Sequence, residues 1–342
     1  MKAANTRKIK IIDTTLRDGS HAMSHQFNAE MISKIAKGLD KSNVYAIEVS
    51  HGDGMGGSSL QYGFSLLSDS EMLRAAKPNI EQSRLAILLL PGIGTREDLK
   101  IAAEHGVKMA RIATHCTEAD ISEQHIGLAK NLGMEVVCFL MMAHMVSPDK
   151  LLEQALLMES YGADVIYIVD SAGALLPSGV IERVKKLCEG LKIHVGFHGH
   201  NNLGLAIANS LAAVESGATY IDGTLRGLGA GSGNAQIEVL VAVFEKSGYS
   251  SGVNFYSIMD TAEKILEPFM KRPQVIKNDS LMLGYAGVYS SFLLHTIHAA
   301  QKYQLDPRDI IVEIGKQKIV GGQEDIIINV AYDLYKKMNK KD

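Results

Sequence analysis

Eight short apolar runs, each followed by a polar or glycine-rich stretch and then a helical pattern, predict an α/β chain: a (β/α)8 TIM barrel with a C-terminal helical extension. Three observations carry that prediction: the number of strands, the glycines that close the helices, and the lack of a dinucleotide fingerprint after the first strand. The candidate strands cover residues 10–13, 44–50, 85–90, 109–114, 135–140, 164–170, 193–198 and 220–223. Strands alternating with helices run parallel, and eight of them close a barrel.

The helices are punctuated in step. Asn28 stands before Ile32, Ile35, Ala36 and Leu39, the stripe of a helix that lays one face on a sheet. Ser147 is placed to cap a helix whose first residue is Pro148, where a missing N–H costs nothing. Gly106, Gly133, Gly162 and Gly217 each close a helix and lead into the next strand, as a left-handed C-cap requires. A doubly wound open sheet uses the same units, but its phosphate-binding glycines should follow the first strand. That place is taken by Thr14-Thr15-Leu16-Arg17-Asp18-Gly19.

Beyond about residue 254 the rhythm changes to helices alone, expected at 256–270, 280–304, 307–317 and 323–338, with Asp306-Pro307 as a helix start. Gly284, Ala286, Gly287, Ser290 and Ser291 give one of them a small-residue face that permits close packing on another element or subunit. The expected organisation is a barrel over 1–254 that carries the metal and catalytic site, and a helical extension over 255–342 that serves an interface.

Composition sets outer limits. At 342 residues the chain exceeds the roughly 250 of a typical barrel by enough for that extension. Its 46% hydrophobic and 21% charged residues suffice for a large core. A formal charge of -3 argues against a nucleic-acid surface; the basic tail Lys336, Lys337, Lys340 and Lys341 is explained by a solvated helix end. No apolar run of roughly 18 residues appears, and the start MKAANTRKIK lacks the apolar core of a signal peptide, so the expected compartment is the cytoplasm, with no membrane contact. Cys116, Cys138 and Cys188 are too few and too scattered for a disulfide framework or a thiolate cage, and Cys138 lies in an apolar run that reads as buried.

Catalytic groups of such barrels sit at the C-terminal strand ends and the loops that follow. That rule selects Arg17, Asp18 and His21 after the first strand, His51 after the second, Asp170 and Ser171 after the sixth, and His198-Gly199-His200 after the seventh. Alternate residues of a strand point the same way, so His198 and His200 can share one ion; the alternative is a pair of structural hydrogen-bonding histidines. Asp18 offers a hard third ligand, or else simply forms a turn with Gly19. Two imidazoles and a carboxylate leave room for water and substrate, and they fit Mn2+, Fe2+, Co2+ or Zn2+ alike.

Arg17 is a fixed cation suited to an enolate oxygen or a carboxylate, with a surface ion pair as its plain alternative. His21, three residues after Asp18, is the candidate general base. No strand end carries a lysine for a Schiff base, which favours a metal as electron sink. The loop from Gly227 to Asn234 sits where barrels often bind phosphate, although such loops are more often turns; Asn234 either caps the next helix or reaches the metal.

With those residues placed, several longer motifs come into register. They are Leu16-Arg17-Asp18-Gly19-Ser20-His21, Ile47-Glu48-Val49-Ser50-His51-Gly52-Asp53-Gly54, Leu88-Leu89-Leu90-Pro91-Gly92-Ile93-Gly94-Thr95, Ala113-Thr114-His115-Cys116-Thr117-Glu118-Ala119-Asp120, Phe139-Leu140-Met141-Met142-Ala143-His144-Met145, Gly196-Phe197-His198-Gly199-His200-Asn201-Asn202 and Gly284-Tyr285-Ala286-Gly287-Val288-Tyr289-Ser290-Ser291. Over nearly the whole chain this resembles the 4-hydroxy-2-oxovalerate aldolases, within the wider metal-dependent family of hydroxymethylglutaryl-CoA lyase and isopropylmalate synthase. Departures at Ser20 and Met23-Ser24 are minor.

The resemblance implies a class II retro-aldol cleavage of 4-hydroxy-2-oxopentanoate to pyruvate and acetaldehyde, through a metal-stabilised enolate, in aromatic or steroid catabolism. It implies Asp18, His198 and His200 as ligands, usually of Mn2+, Arg17 as enolate stabiliser and His21 as proton acceptor. Substrate contacts would come from Arg17, Asp18, Ser171, His198 and Tyr289, while Leu88 and Leu90 would face the aldehyde end. The family works with an acylating acetaldehyde dehydrogenase, so the resemblance implies that partner, a heterotetramer, and docking through the helical extension. Two other readings stay open: an acyl-CoA-dependent lyase or synthase of the same wider family, and a catalytically idle subunit that only shelters the dehydrogenase.

Overall fold

A computed structural model describes residues 8–339; the first seven residues and, from the basic tail, Lys340 and Lys341 lie outside the described residues. Eight parallel strands close in sequence order into one barrel: β1 Lys10–Asp13, β2 Ala46–Glu48, β3 Arg84–Leu89, β4 Met109–His115, β5 Glu135–Met141, β6 Val165–Asp170, β7 His194–Gly199 and β8 Tyr220–Gly223, with β8 paired back to β1. Each expected strand is present. The largest difference is β2, three residues long where 44–50 was expected, because only its middle keeps a full ladder. Its flanks stay tied to the sheet by single bonds, Tyr45 N to Ile11 O and Val49 N to Ala86 O, both 2.9 Å.

The punctuation acts as expected. Asn28 Oδ1 accepts from Met31 N at 2.9 Å, and Ser147 Oγ from Lys150 N at 3.3 Å with Pro148 as the first helical residue. The four helix-closing glycines Gly106, Gly133, Gly162 and Gly217 all have positive φ, from 76° to 126°. Alternation along the strands then divides the core. Ile11, Ile47, Ile112 and Ile166 face the helices, while Ile12, Ala46, Leu88, Phe139 and Tyr167 fill the barrel interior.

The C-terminal region differs from expectation in one place that matters for the site. A single helix over 280–304 was expected, but the chain forms Asn278–Ala286, breaks, takes a short 3-10 turn at Ser290–Phe292 and resumes as Leu293–Tyr303. The break is at Gly287, whose φ of 67° is left-handed and where a Cβ would stand 2.8 Å from His144 Nε2. Tyr289 is delivered by this break to the barrel mouth.

The small-residue face is used within the chain: a Cβ on Gly284 would meet Leu203 Cγ at 2.8 Å, so this helix lies directly on the loop after β7. Helices Pro307–Gln317 and Glu324–Asn339 follow as expected, and Asp306 Oδ1 accepts from Arg308 N at 2.9 Å. Leu283, Val288, Phe292, Ile310, Ile314 and Ile327 form a separate core there. Ile258, Ala262 and Leu266, from the preceding helical run, bury instead in the barrel's outer core. Among the described residues no helix is long and apolar enough to cross a membrane.

Candidate active site

After β1 the chain turns sharply: Arg17 N and Gly19 N both bond to Thr14 O, at 3.1 and 3.3 Å, before the short helix Gly19–Ala22. This turn carries Arg17 and Asp18 under the barrel mouth, where both are buried. Asp18 does more than form a turn. Its Oδ1 accepts from Ala230 N at 3.1 Å and from Asn234 Nδ2 at 3.0 Å, and its Oδ2 accepts from Arg17 Nη1 at 2.7 Å.

The two histidines of the seventh strand converge on that carboxylate. His198 Nε2 lies 3.6 Å and His200 Nε2 3.7 Å from Asp18 Oδ2, and one ligand atom from each of the three residues falls within 4.8 Å of the others. Gly199 between them keeps the opposite side small, since a Cβ there would stand 2.7 Å from the Phe197 ring. His198 Nδ1 lies 2.8 Å from Asp222 Oδ2 on β8; with the proton on Nδ1 it donates to that carboxylate and leaves the Nε2 lone pair aimed at Asp18.

The donor set fits a divalent cation. Burial alone would raise the Asp18 carboxyl, but the Arg17 guanidinium beside it holds it well below the usual carboxylate range. Burial pushes the His200 imidazole down to about 4 against the pull of Asp18, which keeps it neutral and able to donate a lone pair. The buried Asn234 Oδ1 has no hydrogen-bond partner, although its Nδ2 is engaged with Asp18 and Leu228 O. Asp18, His198 and His200 thus form a triad that can hold a divalent ion.

Three buried charges that the sequence reading left unassigned lie beneath this triad. Arg17 Nε bonds Glu48 Oε2 at 2.7 Å; Glu48 Oε1 lies 3.1 Å from Arg111 Nη1; Arg111 Nη2 pairs with Asp222 Oδ2. Glu48, Arg111, Tyr167 and Asp222 come from β2, β4, β6 and β8, so one layer of the barrel interior is polar where aliphatic side chains are usual. Along the chain of contacts Asp18–Arg17–Glu48–Arg111–Asp222, three carboxylates face two guanidiniums, a deficit of positive charge next to the two histidines.

A cavity opens above the triad, lined by Arg17, Asp18, His198 and His200 on the polar side and by Leu88, Leu90, Phe139, Met141 and Val169 on the apolar side. His21, Ser171 and Tyr289 also line it, whereas His51 and Asp170, selected by their strand-end positions, do not. His21 is half-buried, its ring edge-on to His25 at 5.1 Å; His25 in turn stacks on His51 at 3.9 Å. Ser171 Oγ accepts from Met142 N at 3.0 Å, and Tyr289 Oη donates to Met141 Sδ at 2.7 Å.

The glycine loop after β8 does not form a phosphate cradle. Ala230 N and Ser232 N are bonded to Asp18 Oδ1 and Asn202 Oδ1, and Gly233 N and Asn234 N to Ala230 O and Gly227 O. Nor does Asn234 cap a helix, since the next one begins at Ile237 with Gln236 before it. The loop is a turn that holds Asp18 in place.

Comparison with known proteins decides the family. Residues 8–265 match the HMGL-like family model, and residues 274–336 match the DmpG-like communication domain. The 4-hydroxy-2-oxovalerate aldolase of Moorella thermoacetica is 63% identical over 97% of this chain and 98% of its own length. The chain belongs to the 4-hydroxy-2-oxovalerate aldolase family. The aldolase of the same name from Carboxydothermus hydrogenoformans is 59% identical over 98% of this chain and 99% of its own. The aldolase is accordingly a lyase of carbon–carbon bonds. Its fold recurs in the carboxyl transferase domain of Rhizobium etli pyruvate carboxylase, at a TM-score of 0.82 and 16% identity over 98% of this chain and 61% of that one.

Proposed function

We propose that the aldolase cleaves 4-hydroxy-2-oxopentanoate to pyruvate and acetaldehyde at a Mn2+ site held by Asp18, His198 and His200. The observation that carries this reading is the convergence of those three side chains beside Arg17, on the polar wall of a cavity whose other wall is apolar. The bound ion would supply Lewis-acid polarisation of the 2-oxo acid. Arg17, pinned by Asp18 and Glu48, points a fixed guanidinium at the oxygen on which charge grows as the enolate forms. His21 takes the proton of the 4-hydroxyl while the C3–C4 bond breaks.

Ser171 and Tyr289 hold the substrate from the β6 and C-terminal sides, His198 also touches it, and Leu88 and Leu90 receive the aldehyde end. The barrel carries this chemistry, and the C-terminal helices dock an acylating acetaldehyde dehydrogenase as a heterotetramer. Support for the docking role is the communication-domain match at 274–336 together with the separate core that begins at Leu283. The dividing line proposed from sequence at 254/255 is better drawn after Phe269, because Ile258, Ala262 and Leu266 pack into the barrel core. Work in the cytoplasm, within aromatic or steroid breakdown, completes the proposal.

The test is pyruvate release from 4-hydroxy-2-oxopentanoate after chelation, with Mn2+, Mg2+, Co2+ and Zn2+ restored one at a time. Loss on chelation and best recovery with Mn2+ is the expected result; activity indifferent to chelation refutes the site.

A further inference from the structure

We propose that Arg111 is a positioning residue that sets both working arms of the active site at once, through Asp222 to the metal-binding His198 and through Glu48 to Arg17. This rests on the ligand and enolate roles given above for His198 and Arg17.

Arg111 sits in the middle of β4, is fully buried and does not line the substrate cavity, so it cannot act by touching substrate. Its guanidinium lies over the Phe139 ring, 4.4 Å from the centroid, and near Tyr167 at 5.0 Å, which fixes its plane. From that plane the two terminal nitrogens part company: Nη2 pairs with Asp222 Oδ2 and Nη1 lies 3.1 Å from Glu48 Oε1. Each carboxylate is then shared with a functional group. Asp222 Oδ2 also meets His198 Nδ1 at 2.8 Å, and the other oxygen of Glu48 takes Arg17 Nε at 2.7 Å.

Among the described residues Asp222 pairs with no other arginine or lysine, and Glu48 has only Arg17 besides Arg111. Without Arg111, Asp222 would be free to follow His198 or turn from it, and Glu48 would have only Arg17 to neutralise it, drawing that guanidinium off the enolate position. Stability does not explain the arrangement, since a buried ion-pair network is often no more stable than the aliphatic layer found at this level in other barrels. A lysine is no substitute, because one ammonium cannot face two carboxylates from a fixed plane.

The experiment is Mn2+ titration of chelated protein, read by equilibrium dialysis, together with kcat and KM at saturating Mn2+. It is run on Arg111→Lys, Asp222→Asn and Glu48→Gln, with melting curves to confirm folding. Asp222→Asn is expected to weaken Mn2+ binding about 10- to 100-fold and to leave kcat at saturating metal within about threefold. Glu48→Gln is expected to lower kcat by about tenfold or more while Mn2+ affinity and KM stay within about threefold. Arg111→Lys should show both losses in one variant.

The inference is overturned if folded Arg111→Lys loses only one property or neither. Should that variant not fold, the two single carboxylate variants decide: the opposite specificities support two arms, and equal loss of both properties in each refutes them. The Asp18→Asn variant separates this from the parent reading. If Mn2+ binds as well to Asp18→Asn as to wild type, the ligand assignment itself is wrong whatever Arg111 does.

Discussion

Nη1 of Arg17 lies 2.7 Å from Oδ2 of Asp18, the same oxygen that stands 3.6 and 3.7 Å from His198 Nε2 and His200 Nε2. One carboxylate oxygen therefore orients the guanidinium and faces the metal position. Arg17→Ala should lower kcat by about 100- to 1000-fold, the usual loss for a donor aimed at developing charge. Mn2+ affinity should change little, because Asp18 keeps its bonds from Ala230 N and Asn234 Nδ2. Steady-state kinetics with dialysis of the variant check this; a rise in KM with kcat unchanged contradicts the role.

Tyr289 reaches the cavity because the C-terminal helix breaks at Gly287. Its hydroxyl is weakly occupied by the Met141 thioether, a poor acceptor that a substrate oxygen can displace. Tyr289→Phe should raise KM about three- to tenfold with a smaller fall in kcat, as for one neutral hydrogen bond. Unchanged KM and kcat would remove Tyr289 from substrate binding. Replacing Gly287 by Ala should be worse for folding than removing the hydroxyl, since φ is 67° and the new Cβ would press on His144.

Leu88 and Leu90 lie one pleat apart on the apolar wall. Leu90→Ala should shift the preference between substrates that release propanal and acetaldehyde toward the longer one by about tenfold in kcat/KM, the scale of one methylene in an apolar pocket. An unchanged ratio would place the aldehyde elsewhere.

Asp13 supplies a pH signature independent of the metal. It is fully buried, and burial raises its carboxyl to about 7, against the bonds from Thr15 N and Thr15 Oγ1 and with help from Glu238 and Glu48. Its folded value lies above the unfolded one of 3.8, so the folded state binds the extra proton in that window, and stability falls as pH rises from about 4 through 7. Asp13→Asn removes the penalty. Its melting temperature relative to wild type should therefore be more favourable at pH 8 than at pH 5, and a difference independent of pH would show that Asp13 ionises normally.

What the sequence disclosed follows from how local each signal is. Strand positions and helix ends were legible because Asn28, Ser147 and Gly106 act on their own neighbours. Asp18, His198 and His200 were legible because strand-end position and alternation suffice to predict convergence. Glu48, Arg111 and Asp222 were not given roles, since each is a lone charge in an apolar strand, and only closure of the barrel sets them against one another. Tyr289 came from family resemblance alone: small residues around it read as one continuous helix, and the break depends on tertiary contact with His144.

The most direct test of the account is calorimetric titration of Mn2+ into chelated wild-type protein and into Asp18→Asn. One ion per wild-type chain, with binding and pyruvate release lost together in the variant, is the predicted result. Tight binding of Mn2+ to Asp18→Asn, or full pyruvate release by metal-free wild type, would contradict it.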